Sequence, residues 1–374
     1  MKVAFLTRVD AFDKNGGDTY QIQMYQKYFE TNGHNALIVT DLSIPEQCDY
    51  YILVNMDRPL ELIAYYQKLK QMKKLGETLF LSIHHSYEAI DFFEKKIRGG
   101  RVGVLLKRIS SFHRREKIKN VVRGLKYKNL RMPVISQFFV NYNKTVTEII
   151  KNVRCLILIA EGEKDKIEFD YKTEVKNSFV VKNGVDLKKG LAELNQNERD
   201  IDVLICGRIE SRKNSLAIAK YFVNSPYNIT FVGAINSNDK EYGRAFLDLI
   251  NLHENMTYLG RVDPGKMPDI YMRSKIHLSA SWFEVASLVD LEAYAYGCHV
   301  VSSIHGHTDS YLGNKATYLN PCKLNEIGDL LKILKARDSD LKEQYSFISD
   351  NLSWEKSYRA LFCSLNELES LTKA

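Results

Sequence analysis

Two glutamates with seven residues between them, Glu284 and Glu292, carry the clearest chemical signal in the chain. They lie in residues 281–297, SWFEVASLVDLEAYAYG, where a short loop and then a helix are predicted. Carboxylates accept hydrogen bonds from hydroxyl groups, so this pair suits a ribose on one side and a sugar on the other. The same segment also fits a capped helix with two solvated acids.

The helix in this segment should begin near Ser287. Ser287 followed three residues later by Asp290 resembles a capping box, and Gly297 is typical of the position just past a helix end. The first backbone amides of a helix have no acceptor within it, and the helix dipole favours an anion there. We therefore expect a phosphate site at this helix start, flanked by the two glutamates.

Two cations follow a predicted strand in the sequence VLICGRIESRKN. Arg208 and Lys213 should then lie at the carboxyl end of that strand, where open α/β sheets bind ligands. Arginine offers a bidentate fork and lysine a compact charge, so together they could neutralise a diphosphate. Cations are also common in solvated loops, which is the alternative interpretation of this turn.

The elements that must position these residues alternate between short apolar runs and amphipathic stretches in both halves of the chain. This alternation favours an α/β fold with two doubly wound, mainly parallel sheets. The predicted strands are residues 3–7, 36–40, 50–54, 78–83, 133–136, 155–160 and 179–182 in the first half and 202–206, 229–233, 256–259, 276–279, 299–302 and 316–319 in the second.

Length and composition indicate a globular chain with two domains. The chain has 374 residues, of which 45% are hydrophobic and 26% charged. Residues 187–200 are polar and weakly periodic, which makes them the best boundary. We expect an amino-terminal domain of residues 1–190 and a carboxyl-terminal domain of residues 191–354.

Several classes of protein are not favoured by the sequence. No stretch approaches the roughly 20 apolar residues of a spanning helix, and the first strand reaches Arg8 too soon for a signal peptide. Six scattered cysteines without a CxxC spacing predict neither disulfides nor a zinc site. Asp338 and Asp340 lie in a charged segment with no strand before it, so we expect solvated acids there. The expectation is a cytoplasmic protein that uses no metal and no cofactor.

The net charge of +7 is unevenly placed, because residues 95–131 contain fourteen Lys or Arg and one acid, Glu116. Apolar residues interrupt the cations, a pattern typical of a segment at a membrane interface. A solvated basic face is the alternative, and nucleic acid is not expected because no aromatic-rich recognition motif accompanies the charge. The cations assigned to a membrane or acceptor surface are Lys107, Arg108, Arg114, Arg115, Lys117 and Lys119.

Together, these pieces resemble the family-4 glycosyltransferases of the GT-B fold, which are retaining enzymes. The resemblance is carried by NGGDTYQIQMYQKYFETNGHNALIVT near the start, KNGVD, CGRIESRKN, SWFEVASLVDLE and the closing FISDNLSWEKS. It implies two Rossmann-like domains that face a central cleft, with residues 355–374 returning to the first domain. It also implies a nucleotide-sugar donor, a glycan or lipid-linked acceptor, and no metal. The basic segment would dock the first domain on the inner face of the membrane, where a lipid-linked acceptor would lie.

The resemblance further implies roles for individual residues of the second domain. Arg208 and Lys213 would hold the donor diphosphate and stabilise its charge as it departs. Glu284 would contact the donor sugar, and Glu292 would bind the nucleotide ribose. The backbone amides assigned to the phosphates are those of Ser287, Leu288 and Val289.

In the first domain, the resemblance implies that Gly16 and Gly17 approach the donor closely, a use for residues without a Cβ. LFLSIHHSY resembles the family strand that ends in a histidine facing the donor sugar, and the register favours His84 over His85. A histidine after a strand is otherwise often a structural residue.

Some positions depart from the family pattern. Asn214 follows Lys213 where a glycine is usual, and Ala286 and Ser287 replace an aromatic residue and a glycine. The alternatives are a non-catalytic protein that binds a sugar nucleotide or a lipid, and a GT-B-like sugar-nucleotide epimerase. A nicotinamide dehydrogenase is not favoured, because no G-x-G-x-x-G follows the strands.

Overall fold

The computed structural model describes residues 1–14, 16–97, 111–187, 199–335 and 340–373, which divide into two units. The amino-terminal unit takes its described residues from Met1–Asp91, Val104–Asn183 and Trp354–Ala374. The carboxyl-terminal unit takes them from Phe92–Gly103 and Gly184–Ser353. The boundary expected at residue 190 lies outside the described residues.

A parallel six-stranded sheet, in the order β2-β1-β3-β4-β5-β6, forms the centre of the amino-terminal unit. Strands covered by helices on both faces are apolar throughout, and all five residues of YYILV in the third strand are buried. The strands are β1 Lys2–Leu6, β2 Asn35–Val39, β3 Tyr50–Val54, β4 Thr78–Leu81, β5 Cys155–Leu158 and β6 Ser178–Val180.

The carboxyl-terminal unit contains a second parallel six-stranded sheet, in the order β12-β11-β10-β7-β8-β9. The first strand of the unit, IDVLIC, is buried at every position in the middle of this sheet. The strands are β7 Ile201–Cys206, β8 Ile229–Val232, β9 Met256–Tyr258, β10 Ser274–Leu278, β11 His299–Ser303 and β12 Thr317–Leu319.

Helices connect the strands and cover the sheets. In the first half of the chain they are α1 Gly17–Thr31, α2 Pro59–Gln71, α3 Tyr87–Phe92, α4 Phe112–Lys126, α5 Arg131–Ser136, α6 Tyr142–Asn152 and α7 Glu163–Tyr171. In the second half they are α8 Ser215–Tyr221, α9 Lys240–Ile250, α10 Met267–Met272, α11 Leu288–Ala295, α12 Asp309–Leu312, α13 Ile327–Lys335, α14 Leu341–Asn351 and α15 Trp354–Lys373. Within the described residues, none of these helices is long and apolar enough to span a bilayer.

The last helix, α15, packs on α1 within the amino-terminal unit. The Trp354 ring lies edge-on to Tyr25, with the centroids 5.9 Å apart. Tyr25 Oη also lies 3.1 Å from Ser357 Oγ. The end of the chain is therefore part of the fold of the first unit.

The prediction of an α/β fold with two parallel sheets is confirmed, but one predicted strand is wrong. Residues 133–136 belong to the helix α5, Arg131–Ser136. Pro133 is the third residue of this helix, and a first-turn position has no need of a backbone N–H. A helix of six residues is too short to show a helical repeat of apolar residues. The β-branched pair Val134 and Ile135 therefore suggested a strand.

Candidate functional site

The predicted site residues of the carboxyl-terminal unit gather at one edge of its sheet. β7 and β10 are neighbours in the sheet, and the chain continues from them toward opposite sides, which makes this pair the topological switch point. Arg208 and Lys213 follow β7, and Glu284 follows β10. Open α/β sheets bind ligands outside the carboxyl ends of the strands at such a point.

Glycine residues shape the loop after β7. Gly207 and Gly233 both have φ near +142°, a conformation that side chains with a Cβ rarely adopt. A Cβ on Gly233 would lie 1.9 Å from the carbonyl oxygen of Gly207, so the ends of β7 and β8 approach each other closely. The Lys213 stem lies over Gly207, since a Cβ there would be 3.4 Å from Lys213 Cε.

A tight turn carries the chain from this loop into α8. Residues Ser211–Lys213 form a single 3-10 turn, and Asn214 follows with φ +61° in the left-handed region. Asparagine tolerates this conformation better than most residues other than glycine. Asn214 stands where the family pattern has glycine, and it adopts the left-handed conformation that glycine favours.

The loop after β10 is fixed on both sides by backbone hydrogen bonds. Trp282 N donates to Arg212 O at 2.9 Å, and Glu284 N donates to His305 O at 2.9 Å. A Cβ on Gly306 would lie 3.2 Å from Glu284 Cβ, so the following loop packs directly against this glutamate. The loops after β7 and β11 therefore hold the loop of Glu284 in place.

The Glu284 carboxylate is held by two cations. Lys213 Nζ contacts Glu284 Oε1, and Arg212 Nη1 lies 3.1 Å from the same oxygen. The structure thus brings together Lys213 and Glu284, which the sequence placed 71 positions apart.

Sequence reasoning missed Arg212, which is the most connected side chain of the site. Arg212 Nη1 also donates to Phe283 O at 3.1 Å, Arg212 Nε donates to Glu210 Oε1 at 3.1 Å, and the guanidinium lies over the Phe283 ring. Burial opposes its charge, but Glu284 and Glu210 outweigh burial and raise the pKa of Arg212. The available signal was a second cation directly before Lys213.

The third cation of the site, Arg208, lies in the loop after β7 and is exposed. Burial of Glu210 opposes its ionisation, but the charges of Arg212, Arg208 and Lys213 lower the pKa of this carboxyl. Asn236 Nδ2 donates to Glu210 Oε2 at 2.6 Å. The turn therefore combines three cations with one acid, whose carboxylate accepts a hydrogen bond from Arg212.

The helix α11 begins where the sequence predicted, with Ser287 as its first flanking residue. The predicted capping box is wrong, because the side chain of Asp290 accepts hydrogen bonds from His277 Nε2 at 3.0 Å and Thr308 Oγ1 at 3.1 Å. Asp290 is fully buried and ties β10 and the β11 loop to the helix. Among the described residues, no acceptor is found for the Ser287 Oγ hydroxyl or for the amides of Leu288 and Val289.

The second glutamate, Glu292, projects from the second turn of α11. Tyr271 Oη donates to Glu292 Oε2 at 2.8 Å. Burial raises the pKa of Glu292, and the Tyr271 hydrogen bond offsets part of this effect. Asp186, in the KNGVD turn, is close enough to add to the increase.

Gly16 and Gly17 lie at the corresponding place in the amino-terminal sheet. The switch point there lies between β1 and β3, and α1 begins after β1 with Gly16 as its flanking residue and Gly17 as its first residue. A Cβ on Gly17 would have no atom within 4 Å. A Cβ on Gly16 would instead lie 2.9 Å from Asp18 Oδ1, so the open position at this helix start is Gly17.

His84 is enclosed, although its predicted role required it to face a ligand. Its side chain is inaccessible to solvent, with Nδ1 3.1 Å from Asp57 Oδ1 and Nε2 2.9 Å from Asp170 Oδ2. Burial opposes protonation, but the two carboxylates raise the pKa of His84 to about 9. His85 is 23% exposed and its Nδ1 lies 2.6 Å from Asp57 Oδ2. Of the two histidines, His85 is the one that solvent reaches.

The cations assigned to a membrane or acceptor surface have different environments. Lys107 and Arg108 lie outside the described residues, and Arg114 is exposed. Lys117 and Lys119 are half-buried, with the first donating to Val140 O at 2.7 Å and the second to Glu116 Oε1 at 3.0 Å.

The assignment of Arg115 to that surface is wrong. Arg115 is 1% exposed and pairs with Asp91. The sequence could not show this burial because the partner acid lies on another element, 24 positions away.

A sequence comparison identifies the family of the carboxyl-terminal half. Residues 188–344 match the family described as glycosyl transferases group 1. This stretch contains Arg208, Lys213, Glu284 and Glu292. No curated protein matches the chain by sequence.

Solved structures similar to this chain are glycosyltransferases. Sucrose-phosphate synthase from Thermosynechococcus elongatus has a TM-score of 0.68 at 13% identity, covering 99% of this chain and 100% of that one. HepE from Anabaena, in complex with UDP and glucose, has a TM-score of 0.56 at 13% identity, covering 98% and 99%. The lipopolysaccharide outer core galactosyltransferase WaaB has a TM-score of 0.59 at 14% identity, covering 97% and 100%.

The architecture of two parallel α/β sheets agrees with that of these neighbours across nearly the whole length of the chain. The resemblance to GT-B glycosyltransferases is confirmed by the family match and by the fold. Residues 188–344 match the glycosyl transferases group 1 family, and the fold is that of the GT-B glycosyltransferases.

Proposed function

We propose that this protein is a retaining glycosyltransferase of the hexosyltransferase type, which transfers a sugar from a nucleotide diphosphate sugar to a hydroxyl group. The observation that carries this proposal is the cluster of Arg208, Arg212 and Lys213 at the switch point of the second sheet. The residues that form this sheet lie within the match to the group 1 family. Such switch points bind nucleotides in open α/β folds.

The donor diphosphate is assigned to the cations and to the start of α11. Lys213 supplies a compact charge and Arg208 a planar fork, and both groups suit phosphate oxygens. The amides of Ser287, Leu288 and Val289 and the Ser287 hydroxyl provide neutral donors at the positive end of the helix dipole. These groups stabilise negative charge on the diphosphate as the bond to the sugar breaks.

The two glutamates are assigned to the hydroxyl groups of the donor. Glu292 holds the ribose through the carboxylate that Tyr271 orients at 2.8 Å. Glu284 contacts the sugar, and Arg212 fixes the direction of its carboxylate. Both assignments use the ability of carboxylates to accept hydrogen bonds from vicinal hydroxyls.

In the proposed reaction, an acceptor hydroxyl attacks the anomeric carbon on the face from which the nucleotide diphosphate leaves. The bond to the diphosphate oxygen breaks, the bond to the acceptor oxygen forms, and the acceptor proton passes to the departing diphosphate. No side chain forms a covalent intermediate, and neither a metal ion nor a cofactor is assigned a part. The protein contributes position and charge.

For the amino-terminal unit, we assign Gly16 and Gly17 to substrate binding at the switch point of their own sheet. His84 becomes a positioning residue, because its ring is enclosed by Asp57 and Asp170. Contact with a substrate is assigned to the partly exposed His85.

The acceptor is proposed to be a glycan or a lipid-linked saccharide, used in polysaccharide or glycoconjugate biosynthesis at the cytoplasmic face of a membrane. One supporting observation is the similarity to WaaB, a lipopolysaccharide outer core galactosyltransferase. The other is the cationic segment, residues 95–131, which suits an anionic membrane surface.

A thermal-shift screen of nucleotide sugars tests donor binding, because a donor well above its Kd raises apparent stability. Transfer is then followed with the best donor and a panel of saccharide and lipid-linked acceptors, and NMR of the product reports the anomeric configuration. Lys213→Gln and Glu284→Gln should each lower kcat/KM about a hundredfold. Lys220→Gln, an exposed lysine of α8, is the matched control and should retain full activity.

Each alternative gives a different outcome. Epimerisation of free donor without an acceptor would indicate an epimerase, and donor binding without turnover would indicate a binding protein. An inverted product anomer would overturn the retaining mechanism while leaving the transferase assignment in place.

A further inference from the structure

Helix α4, Phe112–Lys126, is amphipathic in the opposite sense to an ordinary surface helix. Its buried residues are Phe112, Arg115, Glu116, Asn120, Arg123 and Gly124. Its exposed large hydrophobic residues are Ile118 at 47%, Val121 at 40%, Val122 at 67% and Leu125 at 78%. Helices of globular proteins normally turn their apolar face to the core, so this arrangement needs a cause.

The charges on the inner face have partners within the amino-terminal unit. Arg123 Nη1 lies 3.1 Å from Glu61 Oε2, and Arg123 Nη2 lies 3.1 Å from Asp10 Oδ1. Asn120 Nδ2 donates to Tyr142 Oη at 3.3 Å. The orientation of α4 is therefore fixed by buried ion pairs, which leaves its apolar residues toward solvent.

The apolar surface continues in the segment after α4. Gln137 Nε2 donates to Lys117 O at 3.2 Å, which places α5 and the following turn beside α4. Four large residues of this segment are exposed: Met132 at 73%, Ile135 at 58%, Phe138 at 63% and Phe139 at 89%. We call the set Ile118, Val121, Val122, Leu125, Met132, Ile135, Phe138 and Phe139 the apolar face. Exposed sets of this size mark interaction sites.

A cavity opens beside this face. It has a volume of about 460 Å³ and lies between α2 and α5, with Leu60 and Ile63 among its lining residues and Met132 shared with the apolar face. A second cavity of about 380 Å³ is lined by Phe139 and by mostly polar residues, among them Lys70 and Glu148, so the first cavity is the apolar one. Apolar surface therefore extends from the exposed residues into the unit.

Cations accompany the apolar face. Residues 112–140 contain eight Lys or Arg, of which Arg115 and Arg123 are buried, and a single acid, Glu116, which is also buried. Arg114, one turn before Ile118, is exposed, as are Lys128 and Arg131 between the two apolar stretches. Exposed aromatic and aliphatic residues among cations are the combination that an anionic bilayer recognises.

We propose that the apolar face, with Arg114, Lys128 and Arg131, docks the amino-terminal unit on the surface of an anionic phospholipid bilayer. The hydrophobic residues enter the headgroup region, and the cations remain at the phosphate level. A second copy of the chain fits less well, because cations would oppose cations across the contact. The inference extends the proposed function by giving the surface that reaches a lipid-linked acceptor.

Vesicle co-sedimentation without donor or acceptor tests the docking separately from transfer. With vesicles of about 30% phosphatidylglycerol in phosphatidylcholine at low salt, we expect binding that falls with added salt and with removal of the anionic lipid. The variant Phe138→Ser/Phe139→Ser should lower the partition coefficient about tenfold. Lys128→Gln/Arg131→Gln should lower binding and its salt dependence. The matched controls are Phe169→Ser, 73% exposed on α7, and Lys151→Gln, exposed at the end of α6.

The proposal is overturned if the wild type does not bind anionic vesicles. It is equally overturned if Phe138→Ser/Phe139→Ser and Lys128→Gln/Arg131→Gln bind as well as the two controls. It is also overturned if the Phe138→Ser/Phe139→Ser variant changes only the oligomeric state in light scattering, since the face would then join copies of the chain. Donor binding by thermal shift should be the same in all variants, which separates this failure from a failure of the proposed transferase activity.

Discussion

Arg212 and Glu284 are joined between two loops of the carboxyl-terminal unit by a hydrogen bond of 3.1 Å from Nη1 to Oε1. Lys213 contacts the same oxygen, so one carboxylate is shared by two adjacent cations. A donor phosphate and Glu284 would compete for Lys213, whereas Arg212 also has Glu210 and Phe283 O as partners. Arg212 can therefore keep Glu284 in position while Lys213 turns to the phosphate.

Replacement of Arg212 tests this division of roles. Arg212→Gln should lower kcat/KM about tenfold, because Glu284 loses a charged hydrogen bond that orients it. Arg212→Lys should recover little, since a single ammonium cannot bridge Glu210, Glu284 and Phe283 O at once. Arg261→Gln, an exposed arginine of the same unit, is the control. An Arg212→Gln enzyme with unchanged KM and kcat would leave Arg212 only a structural role.

The hydrogen bond from Tyr271 to Glu292 predicts a pH dependence of donor binding. Burial raises the pKa of Glu292, and the Tyr271 hydroxyl opposes that increase. Tyr271→Phe removes the opposing interaction, so Glu292 should gain a proton at a higher pH than in the wild type. If the ionised carboxylate binds the ribose, donor affinity falls as the pH is lowered. In Tyr271→Phe this fall should begin at a higher pH than in the wild type. Calorimetric titrations between about pH 5 and pH 8 measure this shift.

The same experiment has a clear negative outcome. Glu292→Gln should bind the donor more weakly than the wild type and with a flatter pH profile, because the titrating group is gone. Equal pH profiles for wild type, Tyr271→Phe and Glu292→Gln would remove Glu292 from the donor site.

The sequence predicted the strands and the carboxyl-edge residues because these depend on local signals. Apolar runs such as YYILV and IDVLIC are buried on both faces, and the residues that follow them lie at a ligand-binding edge. Arg208 and Lys213 follow β7 directly, so a correct strand prediction was sufficient to place them. The parallel sheets followed from the alternation of strands and helices.

The remaining features depend on partners far away in the sequence. The burial of Arg123 requires Glu61 and Asp10, and the enclosure of His84 requires Asp170, 86 positions further along the chain. Composition marked the basic residues 95–131 as a surface, but ion pairs across elements turn part of this segment inward. Asp290 likewise has its partners on β10 and in the β11 loop, which a local capping pattern does not show.

The enclosure of His84 predicts an unusual titration. Asp170 and Asp57 raise the pKa of His84 to about 9, against an ordinary value of about 6.5. Because the folded-state pKa is the higher one, the interaction stabilises the fold fully below about pH 6.5 and is lost as the pH rises through about 9. NMR of histidine-labelled protein should show one ring that stays protonated up to this range and is absent in His84→Gln.

A second histidine, the half-buried His113, gives the opposite control. Burial lowers the pKa of His113 to about 4, so its signal should remain that of a neutral ring throughout the same titration. His113→Gln identifies that signal. A His84 signal with a midpoint near 6.5 would show that Asp57 and Asp170 do not enclose the ring in solution.

The inward face of α4 predicts the effect of removing Arg123. Arg123→Met leaves Glu61 and Asp10, both 1% exposed, without one of their cations. Removing one member of a buried ion pair costs about 3–5 kcal/mol, so chemical denaturation should show a large loss of stability. Arg114→Met, on the exposed side of the same helix, should change stability by less than about 0.5 kcal/mol. Similar losses in the two variants would contradict the inverted orientation of α4.

The ends of β7 and β8 approach each other closely at Gly233, and this approach gives a prediction about the loop after β7. The φ of Gly233, +142°, is nearly confined to glycine, and a Cβ would lie 1.9 Å from Gly207 O. Gly233→Ala should therefore displace the loop that carries Arg208 and Lys213, lowering both stability and donor affinity. Gly33→Ala, in the amino-terminal unit, is the control, since Gly33 has a φ of +77° and no atom within 4 Å of an added Cβ. It should cost about 1–2 kcal/mol, with donor affinity unchanged. Equal losses of donor affinity in the two variants, measured by calorimetry, would mean that the approach of β7 and β8 does not position the cations.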